Sequence, residues 1–199
     1  MSEATAKRIY RQTERAASTA ATRERILDAA LEIGDPAAPL AAIAERAGVS
    51  ERTVLRHFGD RNGLFAAVLE AGNERVVGER FDIPRGDVDA AAANLVGHYE
   101  DMGDRVIERL AQEGRDERID AVLENGRRIH REWVGEKLGP LLPPGLDPRT
   151  RRRRLIQLVA VCDVYTWKLL RRDHRLGRSE TEQAIAELIR GITERGDDR

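Results

Sequence analysis

Apolar residues recur along this chain at helical spacing, and the alternating pattern of a half-buried strand is absent. Ile26, Leu27, Ala30 and Ile33 share one helical face. Thr22 is a suitable N-cap before them, and Gly34-Asp35-Pro36 ends the run. A second short helix begins near Pro39, which a first turn tolerates, and turns Leu40, Ile43, Ala44 and Ala47 inward. Ser50 then caps a third helix over 51–57, with Val54, Leu55 and Phe58 as its apolar members. Asp60 caps a fourth, about 61–78, that carries Leu64, Phe65, Val68 and Leu69. Residues 1–21 are polar and rich in Ala, Ser and Thr, and read as a flexible or loosely helical arm.

The Pro- and Gly-bearing segment 80–88 marks the best domain boundary. Longer helices follow, over about 87–112 and about 116–138, the latter open to a break at Gly126. After a turn-rich connection at 138–148 comes a helix over about 149–173 that is apolar nearly all round, so it must be covered on several sides. The last helix opens with Ser179 and Glu182 at capping-box spacing and presents Ala184, Ile185, Leu188, Ile189 and Ile192 as one stripe. The pattern gives three domains: an arm (1–21), a small helical domain with its connecting fourth helix (22–79), and a larger helical domain (80–199).

Composition narrows the chemistry. The 199 residues are 41% hydrophobic, which excludes a fully disordered chain. A single cysteine, Cys162, excludes an internal disulfide, and no Cys/His spacing suits zinc. No run approaches a membrane span and the N-terminus lacks a secretory core, so a cytoplasmic protein is the expectation. The net charge of -1 excludes a uniformly basic nucleic-acid binder. Local placement differs: within 46–61, Arg46, Arg52, Arg56 and Arg61 face only Glu51 and Asp60.

That focus falls on IAERAGVSERTVLRHF (43–58), two short amphipathic helices joined at Gly48. Such a pair is a helix-turn-helix, in which a capped second helix offers its outward side chains to base edges. Glu51, Arg52, Thr53, Arg56 and His57 form that outward set. Arg pairs bidentately with guanine and a Thr methyl can touch thymine. Ser50, His57 and Arg61 suit phosphates. With Ile26, Leu27, Ala29 and Ala30, the run Ile43 to Ser50, then Thr53, His57, Phe58, Leu64 and Phe65, the stretch resembles the DNA-binding domain of the tetracycline-repressor (TetR) family. The run 163–189 resembles the last two helices of many of its members.

The resemblance implies an all-α chain: an N-terminal three-helix DNA-binding domain and a C-terminal ligand-binding and dimerisation domain. It implies double-stranded operator DNA, a second copy of the chain and a small-molecule effector as partners. No nucleophile elbow, phosphate-loop glycine signature or HExxH appears in the sequence, so neither a cofactor nor an enzymatic role is expected. The family usually has Tyr where Leu55 stands, a position that touches the DNA backbone. Leu55 therefore joins the interface set, but without a hydroxyl to offer a phosphate. Pro39 replaces the usual cap, and the stretch from Ile26 to Ile43 is about one turn short. His98, Tyr99, Met102, Trp133, Asp163 and Trp167 are candidate pocket residues, each equally readable as core. Asp163, inside an apolar helix, needs a hydrogen-bonding partner. Leu158, Val161, Tyr165, Ile185, Leu188, Ile189 and Ile192 are candidates for the seam between two copies. Lys7, Arg8, Arg11 and Arg15 either reach a minor groove or remain a solvated tail, and Arg149 with Arg151 to Arg154 reads as a solvated face. The rival reading is a helical adaptor of the same fold that has lost DNA reading.

Overall fold

The computed structural model describes residues 3–194, which contain α-helices and no strand. The chain divides into two compact units, Met1–Arg75 and Val76–Arg199. The division falls inside a helix, whereas the Pro/Gly segment places it by sequence after residue 79.

The first unit holds α1 (Glu3–Ile33), α2 (Leu40–Ala47), α3 (Glu51–Phe58) and the start of α4 (Arg61–Phe81). Ile26, Ala29, Ala30, Ala38, Ile43, Ala44, Ala47, Val54 and Leu64 are its buried core. Alanine at the α1–α2 contact lets the helices approach closely, while Ile26 and Val54, both 0% exposed, fill the centre.

Two sequence expectations change here. Thr22 does not start a helix: its hydroxyl donates to the Ser18 carbonyl (2.9 Å) one turn back, inside a continuous α1 that begins at Glu3. Residues 3–21, read as an arm, are therefore part of that helix, and the arm's first two residues lie outside those described. So do the side chains of Lys7, Arg8, Arg11 and Arg15. Leu55, an apolar member of α3 and one of the interface set, stands exposed at 39%. And α4 runs on to Phe81, so Arg80, assigned by sequence to the linker, sits in its last turn.

The second unit comprises the end of α4, then α5 (Val88–Leu110), α6 (Glu117–Lys137), α7 (Pro148–Val161), α8 (Val164–Lys168) and α9 (Arg178–Thr193). Asp87 and Asp116 cap α5 and α6 with their carboxylates, and α6 passes Gly126 unbroken. α5 lies at the centre, packed by α6, α8 and α9. Leu95, Val96, Trp133, Leu158, Trp167, Ile185 and Ile189 are all 0% exposed. Gly103 is required by Trp167: a Cβ there would sit 2.5 Å from the indole.

The single helix expected over 149–173 is in fact two. α7 stops at Cys162, and Asp163 turns to extended backbone (ψ 154°) and caps α8 by accepting from the Tyr165 N–H (3.0 Å). Side chains take the carbonyls this break frees. The Tyr99 hydroxyl donates to Cys162 O (3.1 Å) and the Thr166 hydroxyl to Ala160 O (2.8 Å). The carboxylate that looks costly inside an apolar helix is thus a helix cap. A single π-helical turn, Leu169–Asp173, follows α8. The final helix is capped two residues earlier than the sequence suggests. Gly177 precedes it and Glu180 accepts the Gly177 N–H (2.7 Å), while Glu182 pairs with Arg178.

Candidate nucleic-acid interface

α2 and α3 meet through a tight turn. Gly48 takes left-handed angles (φ 66°, ψ 38°), which glycine adopts without the strain a side chain brings, and its N–H closes α2. The Val49 N–H then bonds Ala44 O at 2.9 Å. Ser50 caps α3, its hydroxyl oxygen accepting from Thr53 N–H at 3.2 Å and lying 3.0 Å from the Thr53 hydroxyl. Ser50→Ala is expected to cost about 1 kcal/mol, read as a shift of the urea midpoint.

Of the eight residues assigned to DNA by sequence, the structure puts Ser50, Glu51, Arg52, Leu55 and Arg56 on the exposed side of α3 and leaves Thr53 and His57 half-buried. Arg52 and Arg56 carry no ion pair or hydrogen bond among the described residues, so both guanidiniums are free for a ligand. Arg61 is a correction. Its guanidinium donates to the carbonyls of Ala37 and Ala38 (2.8 Å to the latter), clamping the loop before α2. Arg46 is engaged too, in an exposed ion pair with Glu32 at 2.6 Å. The positive focus over 46–61 therefore reduces to Arg52 and Arg56 on one short helix.

The six pocket candidates lie in the second unit and come together only in part. Tyr99, Trp133 and Trp167 are buried, His98, Met102 and Asp163 half-buried. His98 and Tyr99 have ring centroids 5.4 Å apart, and Tyr99 and Trp167 5.9 Å. Trp133 donates its indole N–H to Arg80 O (2.8 Å). Trp167 donates to Glu100 (3.1 Å), which Arg171 also holds at 2.8 Å. Burial opposes the charge on Glu100, yet the bonds from Arg171 and Trp167 keep its carboxyl below the usual range. Asp163 is withdrawn from the pocket set by its capping role.

Two residues outside the six candidates, Arg80 and His130, share this interior. Arg80 lies over the Trp133 ring, its guanidinium carbon 4.7 Å from the centroid. His130 stacks on the same Trp133 at 6.4 Å and 16°. The only sequence signal for Arg80 is an arginine beside a Pro/Gly segment, which reads as linker.

Burial first, then the charge of Arg80, push His98 down to about 3, and a proton on His130 would oppose one on His98; burial and Arg80 lower His130 as well. Both imidazoles are thus neutral in the fold, while the unfolded chain takes up protons below about pH 6.5. Stability is therefore present above that value and lost as pH falls toward 3. His98 alone should remove about 2 kcal/mol between pH 7 and pH 5, before most carboxylates titrate. Urea unfolding at the two pH values checks this. Equal stability at both would contradict it, and His98→Asn should flatten the slope.

The seam candidates divide by burial. Leu158, Ile185 and Ile189 are 0% exposed in their own core and have no surface left for a partner; Val161 and Ile192 are half-buried against it. The helical period shows a stripe but not which neighbour covers it. Tyr165 (56%) and Leu188 (44%) do stand exposed, joined by Ile156 and Leu169, which lie outside the candidate set. Arg149 and Arg151 to Arg153 are exposed, whereas Arg154 is buried. No helix among the described residues is long and apolar enough to cross a membrane.

Comparison with known proteins bears on the first unit. No curated protein matches the chain. The solved structure of the fatty acid degradation regulator FadR from Bacillus halodurans is similar over 84% of this chain and 93% of its own. The identity is 17% and the TM-score 0.46, a likeness too distant to bear on what either protein binds. Residues 26–68 match the family described as "Bacterial regulatory proteins, tetR family", a span that runs from Ile26 through the Gly48 turn and α3 to Val68. The chain thus carries at its N-terminus the helical DNA-binding domain of the tetR family of bacterial regulatory proteins.

Proposed function

We propose that this protein is a ligand-responsive transcription regulator, a repressor in its action, that binds a two-fold symmetric operator as a homodimer in the cytoplasm. The observation that carries the reading is α3 itself. A capped, exposed helix in a tetR-family domain offers two unpaired guanidiniums, Arg52 and Arg56, one turn apart. An α-helix fits the major groove, where an arginine fork matches guanine. With only two free cations per subunit at α3, nonspecific affinity for phosphate is modest, and two copies of the helix are needed for tight binding. Ile156, Tyr165, Leu169 and Leu188, exposed on the second unit, are the apolar surface assigned to the partner copy.

Regulation requires a ligand with different affinity for two states of the protein. α4 is the segment suited to report it, since it starts three residues after α3 and ends in the second unit at Phe81. The test is selection from a random duplex pool. The reading expects enrichment of a palindrome with half-sites about one helical turn apart; no enrichment overturns it. The adaptor reading draws on Leu55 and on the internal engagement of Arg46 and Arg61, and it predicts that outcome.

A further inference from the structure

One edge of one arginine stands unmatched inside the second unit. Arg80 is 4% exposed, and its Nε and Nη2 are buried without a hydrogen-bond partner. These two nitrogens form a single side of the guanidinium, the side that meets a carboxylate with two parallel bonds. The chain uses that side repeatedly. Arg171 turns Nε and Nη2 on Glu100 (2.8 and 3.3 Å), Arg172 turns them on Asp104 (3.1 and 2.9 Å), and Arg118 on Asp116 (3.1 and 2.8 Å). At Arg80 no carboxylate of the described residues answers.

The neighbours of Arg80 do not neutralise it. The groups whose charge bears on it are Tyr99 and Cys162. Burial pushes the Tyr99 hydroxyl above its ordinary range and the Cys162 thiol up to about 12, so both are uncharged at neutral pH. Asp163, the carboxylate that bears on Tyr99 and Cys162, is turned to the Tyr165 N–H. A guanidinium does not shed its proton to escape burial as a lysine can. An unpaired buried charge is costly, and an apolar side chain of similar volume would serve the core better.

A second unmet group accompanies it. His130 Nε2 lies 3.1 Å from Val159 O. A carbonyl only accepts, so Nε2 carries the proton of the neutral ring. Nδ1 is then a bare acceptor, and it too is buried without a partner. Arg80 and His130 both rest on Trp133. The interior therefore presents a donor fork and one acceptor beside aromatic surface.

We propose that the Nε/Nη2 edge of Arg80, with His130 Nδ1 and the Trp133 ring, recognises a small organic carboxylate that also bears a hydrogen-bond donor on an apolar or aromatic body. One planar fork without a lysine or a second free arginine suits a carboxylate rather than a phosphate. The proposal rests on the reading of the second unit as effector-binding, and it names that effector's class.

The experiment uses the full chain without DNA. 4-Hydroxybenzoate, phenylacetate and hexanoate are compared with their amides by thermal melting and calorimetric titration, on wild type and Arg80→Met. 4-Hydroxybenzoate should raise the wild-type Tm more than phenylacetate or hexanoate, which lack the donor, while its amide does not, and Arg80→Met should weaken that binding roughly a hundredfold. The ligand-free variant should melt at or above wild type, since it loses an unpaired buried charge. The proposal is overturned if Arg80→Met melts lower than wild type, if it binds the carboxylates equally well, or if no carboxylate shifts the wild type. The same preparations tested on duplex DNA separate the two readings. Intact DNA selectivity without carboxylate binding overturns only the ligand class, whereas carboxylate binding without DNA selectivity overturns the regulator.

Discussion

Replacing Arg52 and Arg56 together by Ala is expected to abolish sequence-selective DNA binding while leaving the fold intact. Both side chains are exposed and unpaired, so removing them takes nothing from the first unit's core. A good bidentate arginine–guanine pair contributes about 1–3 kcal/mol of discrimination. A homodimer loses each pair twice, so affinity for the selected site should fall at least about a hundredfold, with little change in urea midpoint. The single substitutions should each relax preference at a different base position. Unaltered base preference in the double variant would remove α3 as the reading helix. By contrast Arg61→Ala should act on stability, because it releases the carbonyls of Ala37 and Ala38. An equal loss of DNA affinity without loss of stability would return Arg61 to the interface.

Trp167→Ala should have the largest effect on stability, about 3–5 kcal/mol, through the cavity left by a wholly buried indole. The ring packs so closely on α5 that Gly103 must lack a side chain, and Tyr99 tilts against it. Its N–H also anchors Glu100, and Arg172 lies over its outer face at 4.5 Å. Trp167→Phe keeps much of the packing and should cost less. Tyr165→Ala, two residues away but 56% exposed, should fall within about 0.5 kcal/mol of wild type. Equal costs at 165 and 167 would mean that the packing of α8 on α5 is wrong. The Tyr165 variant has a second readout, since the reading of its face as a seam expects it to weaken self-association.

The helix-turn-helix is legible in the sequence because every part of it is local. Ile43, Ala44 and Val54 follow the helical period, Gly48 marks a left-handed turn, and Ser50 caps the helix that starts one residue on. Sequence misleads where a partner lies far along the chain. Arg61 resembles a phosphate ligand because the carbonyls it holds are 23 and 24 residues back. Asp163 resembles a buried polar oddity because a carbonyl freed by the break between α7 and α8 is met by Tyr99, which comes from α5. Ile185 and Ile189 look available to a second copy because periodicity cannot tell which of two apolar faces a chain covers itself. Arg80 escapes notice since nothing local distinguishes a buried arginine from a solvated one.

The central claim is that α3 reads duplex DNA by sequence. Its most direct test is an anisotropy titration of the full chain against the selected palindrome and a scrambled duplex of equal length, in one buffer at physiological salt. The account predicts at least about a thousandfold preference for the palindrome, lost in the Arg52/Arg56 double variant. Equal affinity of the wild type for both duplexes would contradict it.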